Sequence, residues 1–380
     1  MIDQQMIIAN TDKLNDICYR ASNCDYVTID TEFVRRKGLF YPEPSLVQLS
    51  IDGETGYICD VLDKTIDLQP LGELLVNPKV TKVFHSFKQD LHVIYKLFRI
   101  TPSNVFDLQI ASMFLGNYNN PSYNLLVNDF LGVKLDKQLQ FSNWMARPLF
   151  VKQLEYAARD VTYLFKLFPI MREKLGEIKY RWVREEIDNI LKYDIGAEVQ
   201  DRLERTALKI VHRKKTINPR YLWLLNIALR WREEYSIEHN IIRNKIIDSL
   251  ELHDFIYKID KNFDKLKKIR IAETKVTRYI LKRVEDALEK GIDLKACTKL
   301  VDLTIKKRDV VYENSTIYEG LKKTLNTCSS NSAINRNIIC DKADIINIAA
   351  ANDLTAKVNS GWRYQVFGSA AELLLKKISN

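Results

Sequence analysis

Residues 26–33 read Tyr-Val-Thr-Ile-Asp-Thr-Glu-Phe, and no other stretch constrains the fold of this chain so tightly. A run of β-branched and aromatic residues predicts a largely buried β-strand. Side chains alternate faces along a strand, so Asp30 and Glu32 stand on the same face, side by side at one end. Two carboxylates that close repel each other unless a cation or a shared proton offsets them. Hard divalent cations bind through one or two carboxylates together with substrate phosphates, so the pair is half of such a site. Two solvated acids at a strand end would look the same in sequence, and the pair needs partners from elsewhere in the chain.

The residues that follow predict a sheet around this strand. Positions 45–51 alternate apolar and polar, Asp52-Gly53 is a hairpin signal, and 56–61 reads as a third strand, so the three form a meander. A short helix at 68–75, a strand at 80–84 and a helix at 87–98 come next. A strand-to-helix transition spans 105–114 with Asp107 at the junction. A helical piece at 124–131 precedes a long helix from 151 to about 174, with apolar residues at helical spacing. A meander followed by this alternation predicts an α/β domain with a mixed sheet and helices on both faces. Beyond Gly176 strand signals largely stop. Asn218-Pro219 marks a helix start, and the residues after Cys297 are again mostly helical, with a Ser/Asn/Thr-rich loop expected at 326–332.

Bulk properties narrow the function class. With 380 residues, 46% hydrophobic, the chain is long enough for two or three domains, and it has no apolar run approaching the ~20 residues of a membrane span. Its first residues are acidic and lack a secretion-signal core. Its six cysteines form no CxxC pair, so they read as reduced thiols in a cytoplasmic protein without a zinc site or disulfide framework. Net charge is −3 over residues 1–200, +9 over 201–300 and +3 over 301–380. An acidic front half and a basic back half suit a metal-dependent domain joined to a module that binds an anionic polymer, although uneven surface charge has the same appearance.

Three further groups are candidates for the site. Asp90 lies one turn into the helix after the strand at 80–84. From there it would face the same cleft as Asp30, or else serve only the helix dipole. Tyr156 and Asp160 are four apart on the long helix and share a face. A carboxylate that holds a cation beside a phenol that orients a water would suit metal-assisted hydrolysis. The alternative is a tyrosine packed inward beside a surface ion pair. His85 and His92 are candidate bases, but without a paired ligand spacing neither supports a zinc site.

Taken together, Asp30-Thr31-Glu32, the segment from His85 to Asp90 and Tyr156-x-x-x-Asp160 resemble the DEDD superfamily of 3′–5′ exonucleases in its tyrosine-bearing branch. Within it they resemble the ribonuclease D family. Gly132 to Lys137, Trp144 to Leu149 and Gln153 to Ala158 stand where that family has similar segments. Residues 218–289 resemble its C-terminal helical domain of the HRDC type, and 360–368 the tail of a second such unit. The resemblance implies an RNase H-like exonuclease domain over 1–205, an HRDC domain over 210–292 and a second HRDC-like domain over 295–380. It implies two divalent metal ions, Mg²⁺ or Mn²⁺, one on Asp30, Glu32 and Asp160 and the other on Asp30 and Asp90, with Tyr156 orienting the attacking water. It further implies a monomeric enzyme that releases nucleoside 5′-monophosphates from RNA 3′ ends, those of tRNA precursors among them. Residues 267–271 lack a glycine found in many HRDC domains, and 314–337 have little to anchor them to the family pattern. A DNA exonuclease with the same site and a non-catalytic RNA-binding protein remain alternatives.

Overall fold

A computed structural model of the chain describes residues 6–116, 118–135, 139, 142–192, 219–262, 274–289 and 316–379. Its centre is a six-stranded mixed sheet. In chain order the strands are β1 (Ile7–Ile8), β2 (Tyr26–Val34), β3 (Glu43–Ser50), β4 (Tyr57–Asp60), β5 (Thr81–Phe84) and β6 (Val105–Asp107), and across the sheet they run β1-β4-β3-β2-β5-β6. The meander is present: β2 pairs antiparallel with β3, and β3 with β4. On its other side β2 pairs parallel with β5, so the carboxylate strand sits inside the sheet. The Asp52-Gly53 turn forms because Asp52 Oδ1 accepts from the amides of Glu54 and Thr55 (2.9 and 2.8 Å), while Gly53 takes a φ of +74° that favours glycine.

Helices cover both faces. They are α1 (Thr11–Ala21), α2 (Gln69–Val76), α3 (Lys88–Phe98), α4 (Leu108–Met113), α5 (Tyr123–Leu131) and α6 (Val151–Lys192), the last broken at Gly176. The strand β1 and the helix α1 go beyond what sequence patterning predicts. The first part of α6 lies across β2 and β3, burying Ala157, Ala158, Val161 and Leu164. Ala158 comes so close to Gly56 that a Cβ on that glycine would meet its backbone at 2.5 Å.

The middle part of the chain is an all-helical module: α7 (Pro219–Glu238), α8 (Arg243–Ile246), α9 (Ser249–Lys261) and α10 (Lys275–Glu289). It has its own core, built on Leu222, Leu225, Leu229, Ile256, Ile259 and Ile280. Residues 263–273, with the glycine-free segment 267–271, lie outside the described residues. The module grips the turn after β2. The Ile242 amide donates to the Gly38 carbonyl (3.0 Å), and Asn240 accepts from the Tyr41 amide through Oδ1 (2.7 Å). Lys245 lies over Gly38 so closely that a Cβ there would meet its side chain.

The last helices are α11 (Thr316–Ser332), α12 (Arg336–Ile339), α13 (Lys342–Ala351), α14 (Gly361–Arg363) with a π-turn over Tyr364–Gly368, and α15 (Ser369–Ser379). Their apolar residues join the same core as the sheet: Trp362 packs on Phe114 (4.7 Å between centroids) and on Trp182 (6.3 Å). The loop expected at 326–332 is instead the end of α11. Serine, threonine and asparagine are weak helix formers, but burial of Leu321 and Leu325 fixes the helix, and hydroxyls of Thr327 and Ser332 bond back to carbonyls four residues earlier.

Candidate active site

The sheet and α6 bring together three of the four predicted carboxylates. Ligand oxygens of Asp30, Glu32 and Asp160 all lie within 4.8 Å of one another. The local reason is the register. Thr28 shares the α6-facing side of β2 with Asp30, and its hydroxyl donates to the Val161 carbonyl (2.8 Å), pinning the helix one residue beyond Asp160. Asp90 lies outside this trio but is tied to the same strand: Thr31, on the opposite face of β2, donates its hydroxyl to Asp90 Oδ1 (2.6 Å). Thr31 was not among the residues singled out from sequence. Its signal is its place between the two acids, where alternation turns it toward α3.

None of the four carboxylates forms an ion pair with lysine, arginine or histidine among the described residues. Burial therefore acts on them with no counter-charge and favours the protonated forms. Asp30 is pushed up to about 6 by burial. Glu32 is pushed up to about 10 by burial first and then by Asp30, Asp160 and Asp90. Asp90 and Asp160 are also raised, by burial and by Asp30. Tyr156 hydrogen-bonds to the Asp160 carboxylate and is raised by burial and by the surrounding acids, so it stays a neutral hydroxyl donor. Its ring rests 6.0 Å from that of Trp144, whose backbone oxygen accepts from Ser45 Oγ on β3.

A cleft of about 180 Å³ is lined by Asp30, Tyr156 and Asp160 together with His85, Tyr123 and Asn124. His85 therefore has a place beside the site, which its lone position in the sequence did not reveal. Its Nε2 donates to the Pro121 carbonyl (3.1 Å), and burial lowers its pKa to about 4, so the ring is neutral. The following residue, Ser86, takes a φ of +63°, a strained turn between β5 and α3. Tyr123 donates its hydroxyl to the Asp160 carbonyl (2.5 Å). Asp107 accepts from the amides of Phe87 and Ile110 (2.7 and 2.9 Å) and so locks the start of α3 against the start of α4. His92 packs against Phe40 and Tyr41, away from the cleft residues. Lys137 is outside the described residues.

An RNase H-like mixed sheet with acids on its central strand and a Tyr-x-x-x-Asp helix laid over them defines a 3′–5′ exonuclease of the DEDD type. Comparison with known proteins agrees. A family model described as 3′-5′ exonuclease matches residues 5–176. Ribonuclease D of Bartonella henselae is 33% identical over 379 residues, covering 97% of this chain and 90% of that protein. Ribonuclease D of Zymomonas mobilis is 32% identical over 375 residues, covering 97% and 94%. The crystal structure of Escherichia coli RNase D superposes with a TM-score of 0.69 at 22% identity, covering 98% of both chains, and so shares the fold. The chain belongs to the ribonuclease D family, and it is a 3′–5′ exoribonuclease. As a family of metal-dependent exonucleases, it accounts for an acidic cluster that has no counter-charge among the described residues.

Proposed function

We propose that Asp30, Glu32, Asp90, Tyr156 and Asp160 are the catalytic residues, acting with two divalent cations, Mg²⁺ or Mn²⁺, on the 3′ end of RNA. The observation that carries this reading is the convergence of Asp30, Glu32 and Asp160 within 4.8 Å, half-buried and without a basic partner among the described residues. A hard cation with oxygen ligands is the chemistry that such a cluster fits. Asp30, Glu32 and Asp160 would hold one ion, and Asp30 with Asp90 the other. Bound cations would activate water and offset charge at the phosphate and the leaving 3′ oxygen. Tyr156, held neutral and bonded to Asp160, orients the attacking water through its hydroxyl. Thr31 keeps Asp90 facing β2, and the walls of His85, Tyr123 and Asn124 receive the terminal nucleotide. Each cycle releases a nucleoside 5′-monophosphate.

The reading extends to the rest of the chain: an exonuclease domain over 1–205, an HRDC domain over 210–292 and a second HRDC-like domain over 295–380. Where the middle module grips the turn after β2, Arg35, Lys37 and Lys245 are exposed, close in sequence to the carboxylate strand or packed on its turn. This cationic seam supports a single RNA strand approaching the site through phosphate contacts. Precursors of tRNA and other small structured RNAs are the proposed substrates, and the enzyme is proposed to be a cytoplasmic monomer. Among the described residues no helix is long and apolar enough to cross a membrane. The test is stepwise shortening of a 5′-labelled RNA with Mg²⁺ or Mn²⁺, run beside the matched DNA. An RNA left at full length, or shortened equally by the Asp30→Ala protein, defeats the proposal, and preferential shortening of the DNA transfers it to the deoxy substrate.

A further inference from the structure

The α6-facing side of β2 and β3 is a ladder of three rungs: Thr28 opposite Ser50, Asp30 opposite Gln48, and Glu32 opposite Leu46. Residues directly opposite in an antiparallel pair project to the same face with Cβ atoms about 5 Å apart. In the first rung both hydroxyls are used: Thr28 Oγ1 donates to the Val161 carbonyl (2.8 Å), and Ser50 Oγ accepts from the Gly53 amide (3.1 Å). In the third, Leu46 packs with Leu154, Ala157 and Ala158 of α6. The middle rung is different. Gln48 is 0% exposed, and neither Nε2 nor Oε1 of its carboxamide has a hydrogen-bond partner among the described residues. On its other side Gln48 is opposite Ile58 of β4, which is apolar.

A buried primary amide with no partner carries an uncompensated desolvation penalty for each group left unmet. A leucine or methionine would fill the same space without it. The only polar side chain directly across the ladder from Gln48 is Asp30, the carboxylate that the proposed site shares between both cations. We infer that Gln48 is a positioning residue: its carboxamide would donate to the Asp30 carboxylate when a cation is held there, and so orient that carboxylate. Groups that orient ligands in this way commonly contribute 10–100-fold to metal affinity. The inference rests on the metal reading above, and it assigns Gln48 no contact with substrate.

The experiment uses the full chain with Gln48→Met, a side chain of similar length and no polar group. Mn²⁺ binding is measured by titration calorimetry, thermal stability is measured in chelator, and kcat and KM for a short RNA are measured over a range of Mn²⁺. A positioning role predicts Mn²⁺ affinity weaker by about 10–100-fold. It also predicts a metal-free midpoint equal to or above that of the parent, because an unmet amide has been removed. Turnover should fall at limiting Mn²⁺ and recover at high Mn²⁺, with KM for RNA unchanged. Unchanged Mn²⁺ affinity overturns the inference. So does a lowered metal-free midpoint or a failure to fold, since either shows that the amide holds the apo fold. If the parent protein itself binds no Mn²⁺, the metal reading fails first, and that result is distinct from a parent that binds and a variant that binds equally.

Discussion

The last helices are fastened to the catalytic domain by a buried ion pair, and replacing one of its members should be costly. Arg363 sends Nη1 and Nη2 to the two carboxylate oxygens of Glu186, at 2.5 and 2.7 Å, with side chains only 7% and 12% exposed. The Arg363 Nε also donates to the Ile338 and Ile339 carbonyls, and Trp362 Nε1 donates to Glu186 Oε2 (3.3 Å). Glu186→Leu keeps the volume but leaves a guanidinium buried with only those two carbonyls, and it strands the indole N–H. Breaking a buried pair from one side costs about 3–5 kcal/mol. Because Trp362, Phe114 and Trp182 belong to the core that also fills the sheet, the loss should appear in global unfolding. At about 2–4 °C per kcal/mol for a domain of 150–250 residues, the midpoint should drop by roughly 6–20 °C. Urea denaturation followed by tryptophan fluorescence reads it directly. The double variant Glu186→Leu/Arg363→Met should recover a large part of the loss, since removing both charges removes the stranded one. A single-variant loss under about 1 kcal/mol, or a double variant as unstable as the two singles summed, would refute the account.

Four further outcomes follow from the site. Tyr156→Phe keeps the ring beside Trp144 but loses the hydroxyl proposed to orient water; kcat should fall by roughly 10²-fold or more while Mn²⁺ binding is retained, measured under saturating RNA. Alanine at Asp30 should abolish turnover more completely than alanine at Glu32, Asp90 or Asp160, because it alone serves both proposed ions; equal kinetic losses across the four would contradict the shared role. In chelator, stability supplied by the raised carboxyl groups is full below about pH 4 and is lost as pH rises through about 6 for Asp30 and on toward 10 for Glu32, since the folded state binds these protons more tightly than the unfolded one. Asp30→Asn should flatten the early part of that decline in thermal scans, and metal affinity should climb over the same range as protons leave. At the seam, Arg35→Ala and Lys245→Ala should each reduce the slope of log affinity against log salt by about 0.7 if each meets one phosphate of single-stranded RNA, with turnover of a dinucleotide unchanged.

Much of the site was legible because each part obeys a local period. Alternation along β2 put Asp30 and Glu32 on one face, and the four-residue spacing on α6 put Tyr156 beside Asp160. Asp107 was legible as a junction because a strand pattern ended there and a helical one began. What local period does not encode is contact between elements. Thr31 reaches Asp90 across the face opposite the acids, and His85 joins the cleft wall only because the start of α5 and the residues just before it bring Tyr123 and Pro121 to it. The helical end of α11 was hidden for the opposite reason. Its residues 326–332 disfavour a helix individually, and only packing of Leu321 and Leu325 against distant segments overrides that preference.

The same reasoning explains why the helical parts of the chain attach differently. The middle module has a core of its own and meets the exonuclease domain mainly through the main chain of one turn, Gly38 to Tyr41 against Asn240 to Ile242. Such a joint fixes a loop without sharing a core, and the loop it fixes begins directly after the strand of Asp30 and Glu32. The last helices share the sheet's core and clamp the part of α6 beyond the break at Gly176, while Tyr156 and Asp160 lie on the part before it. One module therefore meets the turn after the strand of Asp30 and Glu32, and the other packs on the segment that continues, past Gly176, from the helix of Tyr156 and Asp160. If the proposed site acts through those two elements, which catalysis would need held within a fraction of an ångström, the basic half of the chain is tied to the geometry of the site as well as to its charge.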